Sequence, residues 1–324
     1  MDKLKKKWDE LSPFFTFEEI QKDILELSKL AGKKNLVVAA ANEKNVIKAS
    51  IDAYKLGLIE INFFGDKKII TKILKEENFK LTSCTIFDYP DSHKATMESV
   101  KFISEGNGDF LMKGLVHTGT YLKAILNEEH GLRRKKGLLS HVAIFQPTGF
   151  KRLFLMSDAA MIIEPTLQQK IDILKNAVYI AEALGINTPK VAMVCAVETV
   201  NTKMPSTLDA AIISKMSERG QLGINAVVDG PLAADVALSE EKAKIKKLTS
   251  EVAGHADVCI MHRIEDANVF YKLMELFGGG NQAGILAGAK KPVILPSRGD
   301  DDRVKLNSIL VGTMMSYYED VMFG

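Results

Sequence analysis

The chain has 324 residues, and its 43 Lys plus Arg against 41 Asp plus Glu give a formal net charge of +2. Apolar residues make up 46% of it and charged residues 26%. This length fits about two domains, or one large α/β unit, with a core that needs no staples. The balanced charge argues against a dedicated nucleic-acid binder and against a disordered acidic or basic protein. Cys84, Cys195 and Cys259 are far apart, with no C-x-x-C and no zinc-like His spacing, so they read as small core residues in a reducing compartment. The basic start MDKLKKKWDE is followed by no apolar h-region, and no apolar run is long enough to span a membrane. These features predict a soluble cytoplasmic protein with neither a nucleic-acid nor a membrane partner.

Residues 1–31 carry helical patterning, with Phe14, Phe17, Ile20, Ile24, Leu27 and Leu30 on an apolar face and Thr16 as a cap before Glu18 and Glu19. Asn35–Ala40 reads as a buried strand, continuous in apolar residues as parallel strands are. A helix over 43–57, a strand over 59–64 and a helix over 67–76 follow. Next come a strand near 84–87, a helix over 92–105, a strand over 109–112 and a helix over about 118–129. This β-α rhythm predicts a mostly parallel sheet covered by helices on both faces.

The basic stretch Gly131–Gly137 reads as a linker or surface loop. The rhythm changes after it. Ser140–Phe145 and Arg152–Met156, separated by Pro147, Thr148 and Gly149, have the spacing of a hairpin. A helix over 167–184, a strand over 191–195, a helix over 206–219, a strand over 226–228 and a helix over 232–245 are expected next. Then come a strand over 257–260, a helix over 265–277, the glycines 278–280, a strand over 292–295 and a helix over 303–319.

Five stretches present chemistry beyond a strand end, where open α/β sheets bind ligands. In Lys291–Asp300 a short strand ends, Ser297-Arg298-Gly299 turns the chain and a helix starts. The free N–H groups of a helix start favour an anion, and the Arg298 fork matches phosphate oxygens. Asp300, Asp301 and Asp302 suit the helix dipole but compete with a bound phosphate, and one of them is open to a general-base role. In Leu115–Lys123, Thr118 is a cap and anion donor, and Lys123 lies further along the helix. In Val191–Ser206, Glu198, Asn201, Thr202 and Lys203 follow the strand, and Ser206 is placed to cap the next helix. Asp229-Gly230-Pro231 reads as a tight turn. Asn268, Tyr271 and Lys272 share a helical face. Gly278–Gly284 follows a helix rather than a strand, which makes a poor phosphate loop. The six histidines are scattered and read as surface or satisfied residues. There is no G-x-G-x-x-G after the first strand, no G-x-x-x-x-G-K-[ST], no G-x-S-x-G and no H-E-x-x-H.

Over roughly residues 110–315 the chain resembles the phosphate acetyltransferase and phosphate butyryltransferase family. The resemblance rests on Phe154–Ala160 with Glu164-Pro165-Thr166, on Pro189–Val194 and on Val228–Ala233. It continues through Val252–Asp257, Asn268–Lys272, and Ala289–Val293 followed by Ser297-Arg298-Gly299. Glu198–Thr207 and the Asp229-Gly-Pro-Leu run look like the butyryltransferase branch. The resemblance implies two three-layer α/β domains flanking a cleft, like isocitrate and isopropylmalate dehydrogenases. One domain spans 1–137 and 290–324, and the other, 138–289, is inserted in it. It also implies reversible transfer of a short-chain acyl group between CoA and phosphate by direct attack in a ternary complex. Acyl-CoA, phosphate and acyl phosphate are then substrates, with no metal, no permanent cofactor, no enzyme cysteine in the chemistry, and a homodimer as the assembly.

By the same resemblance Arg298 holds phosphate, and Ser297 donates to oxygen charge developing in the tetrahedral intermediate. The CoA-binding arginine falls on Lys123, which keeps the charge and loses the fork. Thr118 matches in the same turn, and Glu198, Asn268, Tyr271 and Lys272 are the further substrate-binding residues. The acetyltransferase branch carries a catalytic Asp where this chain has Val304. Asp302 is the nearest substitute for the base, Glu198 the second. A third option is no dedicated base, because a thiol of pKa near 8.5 is already partly ionised. The alternatives are a phosphate acetyltransferase acting on acetyl-CoA and a catalytically weak paralogue that binds CoA esters.

Overall fold

The computed structural model describes residues 2–134, 137–297 and 299–323. It divides into two compact units, one of Met1–Leu11, Thr16–Gly137 and Ala283–Gly324, the other of Ser12–Phe15 and Leu138–Gln282.

The first unit opens with helices α1 (Asp2–Asp9) and α2 (Phe17–Ala31). The Thr16 hydroxyl accepts from the Glu19 amide, and the Glu19 carboxylate accepts from the Thr16 amide, each at 3.1 Å. This reciprocal capping box satisfies two of the orphan donors at the start of α2. There follow β1 (Lys34–Ala39), α3 (Lys44–Lys55), β2 (Ile59–Gly65), α4 (Lys67–Glu76) and β3 (Thr85–Asp88). Then come α5 (Ser92–Ser104), β4 (Phe110–Lys113) and α6 (Thr118–Ile125). The last helix is shorter than its sequence pattern suggests. Asn127 ends it by accepting from the amides of Glu129 and His130.

The second unit contains β5 (Ser140–Gln146), β6 (Phe154–Ser157), α7 (Leu167–Ala183), β7 (Lys190–Val194) and α8 (Pro205–Glu218). It goes on through β8 (Val227–Leu232), α9 (Ala234–Leu238), α10 (Glu240–Ile245), β9 (Val258–Ile260) and α11 (Ile264–Phe277). β5 and β6 form the expected antiparallel hairpin, while β6, β9, β7 and β8 are parallel neighbours in that order. The stretch over 232–245 is two helices, not one. Ser239 breaks it and caps the second by accepting from the Lys242 amide. Asp229-Gly230-Pro231 is no tight turn but lies within β8. Asp229 Oδ1 accepts from the Gly230 amide and Oδ2 from the Ser250 hydroxyl. Phe145, Phe154, Val236, Val252, Cys259 and Tyr271 form the core of this unit.

The chain then enters β10 (Asn281–Ala287), β11 (Val293–Ile294) and α12 (Asp302–Phe323). The glycine-rich run 278–284 therefore leads into a strand and is not a phosphate loop. In the first unit the strand order is β3-β2-β1-β4-β11-β10. Only β10 runs antiparallel to its neighbour there, so the mostly parallel sheet read from the sequence is present. Helix α12 is buried over most of Lys305–Glu319, polar residues included. Its Ser308, Thr313 and Ser316 hydroxyls are satisfied by donating to carbonyls one turn back.

Candidate functional site

In the first unit, β1, β4 and β11 run parallel, with Ala39 level with Lys113 and Met112 level with Ile294. The loops that follow these strands therefore leave from one edge. The approach is close. The Gly114 amide donates to Ala39 O, and a β-carbon at Gly114 would lie 2.3 Å from Ala40 O, so only glycine fits there. Ser297 follows β11 on this edge and is half-buried. Its turn is closed from both sides, for the Ser297 amide donates to Asp300 Oδ2 at 2.6 Å and the Asp300 amide to Ser297 O at 3.2 Å. Arg298 lies outside the described residues.

Two ion pairs join the start of α12 to the start of α3. Lys305, 1% exposed, donates to Asp300 O and lies 3.4 Å from a Glu43 oxygen. Lys48 binds the Asp302 carboxylate. That bond holds Asp302 below the usual carboxylate range, the opposite of what a base working near neutrality needs. Asp302 is therefore committed to a fold contact. Asp301 caps α12 by accepting from the Val304 amide at 2.9 Å. Asp300 is the carboxylate built into the serine turn.

On the same edge Thr118 opens α6, but His117, not Thr118, occupies the cap position. Thr118 and Lys123 are both exposed, and neither side chain bonds another described residue. Beneath them the buried Tyr121 hydroxyl donates to Ile294 O at 3.3 Å, fixing α6 against β11.

The second unit has its own carboxyl edge. Ile260 is level with Met193 and with Ser157, so the loops after β6, β7 and β9 leave from one edge. Glu198 is here, 2.7 Å from Lys246. Asn268 donates to Ala159 O at 3.2 Å. Tyr271 departs from the shared face read from the sequence. It is 6% exposed and packs into the core beside Phe145, while Asn268 and Lys272 stay exposed and Lys272 pairs with Glu275. Ser206 caps nothing. Met204 takes the cap position of α8 with Pro205 at its start, and Ser206 hydrogen-bonds the Cys195 thiol instead. Asn201, Thr202 and Lys203 form a local turn in which Asn201 Oδ1 accepts from the Lys203 amide.

Burial pushes all three thiols up, Cys84 to about 11 and Cys259 to about 12, so none is a ready nucleophile. Among the described residues no group of His, Cys, Asp and Glu is arranged to hold a metal ion. Sequence reasoning missed Glu43, Lys305, Lys170 and Asp209, because long-range ion pairs leave no periodic trace.

The family described as phosphate acetyl/butaryl transferase matches residues 92–313, and the chain belongs to it. The chain is 44% identical to a phosphate butyryltransferase of Clostridium acetobutylicum, over 91% of this chain and 97% of that one. It is 40% identical to a phosphate acetyltransferase of Thermotoga maritima, over 90% and 98% of the two chains. A crystal structure of a branched-chain phosphotransacylase from Enterococcus faecalis V583 superposes with a TM-score of 0.78 at 30% identity, covering 87% of this chain and 99% of that one. The α/β fold expected from the resemblance is thus the fold of a solved phosphotransacylase.

Proposed function

We propose that this chain transfers a short acyl group reversibly between CoA and inorganic phosphate, with butyryl preferred to acetyl. The observation that carries the reading is the 44% identity to a phosphate butyryltransferase across nearly the whole chain. The buried support under the serine turn agrees with it, since a fixed backbone at a strand's carboxyl end suits an anionic substrate. In this reading phosphate attacks the thioester carbonyl in one direction, and the CoA thiol attacks the acyl phosphate in the other. Arg298 holds the phosphate, and Ser297 donates to the oxyanion of the tetrahedral intermediate. Thr118 and Lys123 receive CoA, and Glu198, Asn268 and Lys272 are further substrate-binding residues. Asp302 is left out of the proton transfer because Lys48 holds it. The CoA thiol supplies its own ionised fraction, since an unperturbed thiol is already partly ionised. CoA esters enter as substrates, with no resident cofactor. Among the described residues no helix is long and apolar enough to cross a membrane. Together with unpaired cysteines, this supports a cytoplasmic setting.

The test is CoA release from acetyl-, propionyl-, butyryl- and isobutyryl-CoA, each with and without phosphate. Phosphate-dependent release fastest with a four-carbon chain is expected. Fast acetyl transfer with poor butyryl turnover would instead support the acetyltransferase reading, which the Thermotoga relative favours. No phosphate-dependent release from any ester would leave a CoA-ester-binding paralogue.

Homodimerisation belongs to the same reading. Helix α11 exposes Val269, Leu273, Leu276 and Phe277, an apolar stripe at helical spacing. Light scattering is expected to give twice the chain mass, and Leu276→Asp with Phe277→Asp the single mass. A wild-type chain that is monomeric at micromolar concentration removes the dimer.

A further inference from the structure

The first unit holds a cavity of about 420 Å3 lined by Arg134, Lys290, Lys291, Glu319, Asp320 and Phe323. All six residues belong to that one unit. Lys290 and Lys291 precede β11, whereas Ser297 follows it, so the cavity lies at the opposite end of the strand from the serine turn. Glu319, Asp320 and Phe323 come from the end of α12. The volume is within the range of small-molecule sites.

Charge is unevenly answered in this cavity. Asp320 is bound by Lys34 of β1, which leaves Glu319, 7% exposed, to face three cations. Glu319 meets Lys291 at 3.3 Å and Arg134 at 3.9 Å. Both contacts are longer than the roughly 2.7–2.9 Å of a well-made charge-assisted bond. Lys290 is exposed, and its ammonium bonds no described residue. Three cations against one carboxylate leave positive charge in excess, of which the carbonyls at the end of α12 offset about half a unit. Burial and Asp320 outweigh Lys291 and Arg134, and push the Glu319 carboxyl up to about 7. Near neutral pH it takes a proton readily and leaves both cations to a better anion. Arg134 is already positioned, since its Nε donates to Ala289 O at 2.9 Å. Phe323, 70% exposed, adds an apolar wall. A bare anion gains nothing from that wall, whereas an ester with an apolar body does.

We propose that this cavity binds a small organic phosphate monoester, its dianion on Arg134, Lys290 and Lys291 and its apolar body against Phe323, with Glu319 yielding its cations to it. Glu319 takes a proton from solvent as the ester enters, and no other bond forms or breaks. The site is separate from the serine turn and does not depend on the acyl-transfer reading.

The probe is phenyl phosphate, titrated by calorimetry into the full-length chain carrying Arg298→Ala, which removes the phosphate contact proposed at the serine turn. Saturable binding at or below about 1 mM is expected at pH 6.5. Affinity should fall several-fold by pH 8, where ionised Glu319 competes for the cations. The ester's own second pKa, near 6, leaves it mostly dianionic across this range. Glu319→Gln is expected to abolish the pH dependence. Arg134→Ala should weaken binding by about 10- to 100-fold and Lys290→Ala by about 10-fold. The Lys290 side chain makes no fold contact, so its variant keeps the melting temperature and reads the site even if Arg134→Ala unfolds. Phe323→Ser should weaken phenyl phosphate and leave inorganic phosphate unchanged. No saturable binding, an affinity unchanged in Lys290→Ala, or a pH-independent affinity overturns the proposal. Inorganic phosphate binding as tightly as phenyl phosphate overturns it too, in favour of a free-phosphate site.

Discussion

Arg298→Ala is expected to lower acyl-CoA turnover by about 100- to 1,000-fold, with the KM for phosphate raised as well. In the proposed role the guanidinium offers the phosphate a fork of donors, which adds geometry to charge. Arg298→Lys separates the two contributions. It keeps the charge and loses the fork, so its activity should fall between wild type and alanine. Ser297 beside it sits in a turn that Asp300 closes by accepting from the Ser297 amide. CoA release at saturating butyryl-CoA over a phosphate titration reads both effects. Alanine activity within tenfold of wild type would take the phosphate contact away from Arg298.

Lys305→Met carries the largest expected loss of stability. The ammonium is almost completely buried and serves both the Asp300 carbonyl and the Glu43 carboxylate. Methionine fills most of the volume but leaves Glu43 without its cation and Asp300 O without its donor. Breaking one side of a buried pair costs about 3–5 kcal/mol. Because Glu43 is only partly buried, the low end applies. At about 2–4 °C per kcal/mol, the melting temperature should fall by roughly 6–12 °C. Turnover should drop too, since Asp300 sets the Ser297 turn. Lys305→Met with Glu43→Gln is expected to regain part of the stability by removing the stranded charge. A shift below about 2 °C in the single variant would mean that the lysine carries little of the load.

Much of this architecture could be read from residue patterns. The Thr16 cap, the β-α rhythm of the first unit and the hairpin of β5 and β6 all follow from local chemistry. β10 escaped because Asn281–Ala287 opens with Asn, Gln, Ala and Gly, residues of low strand preference, so its strand state comes from pairing rather than propensity. Asp229-Gly-Pro carried the composition of a turn, yet it lies in β8 with its carboxylate held by Ser250. The serine turn was legible because serine, arginine and glycine after a short apolar strand have a local meaning. Its support was not. A lysine at position 305 or 170 reads as solvated until partners distant in sequence bring it inside. His262 reads from the sequence as a surface or satisfied residue, and its Nδ1 is met by the distant Lys170.

β11 lies parallel to β4 in the middle of the first unit's sheet, although the chain between them builds most of another unit. During synthesis, β4 therefore waits with one bare edge until residues 293 and 294 have left the ribosome. Exposed strand edges invite pairing with other chains. A product cut short before residue 293 has no strand to lead into the serine turn, so halted synthesis yields sticky, inert fragments rather than partly active ones. For an enzyme that releases reactive acyl phosphates, this topology ties the chemistry to a strand made long after β4.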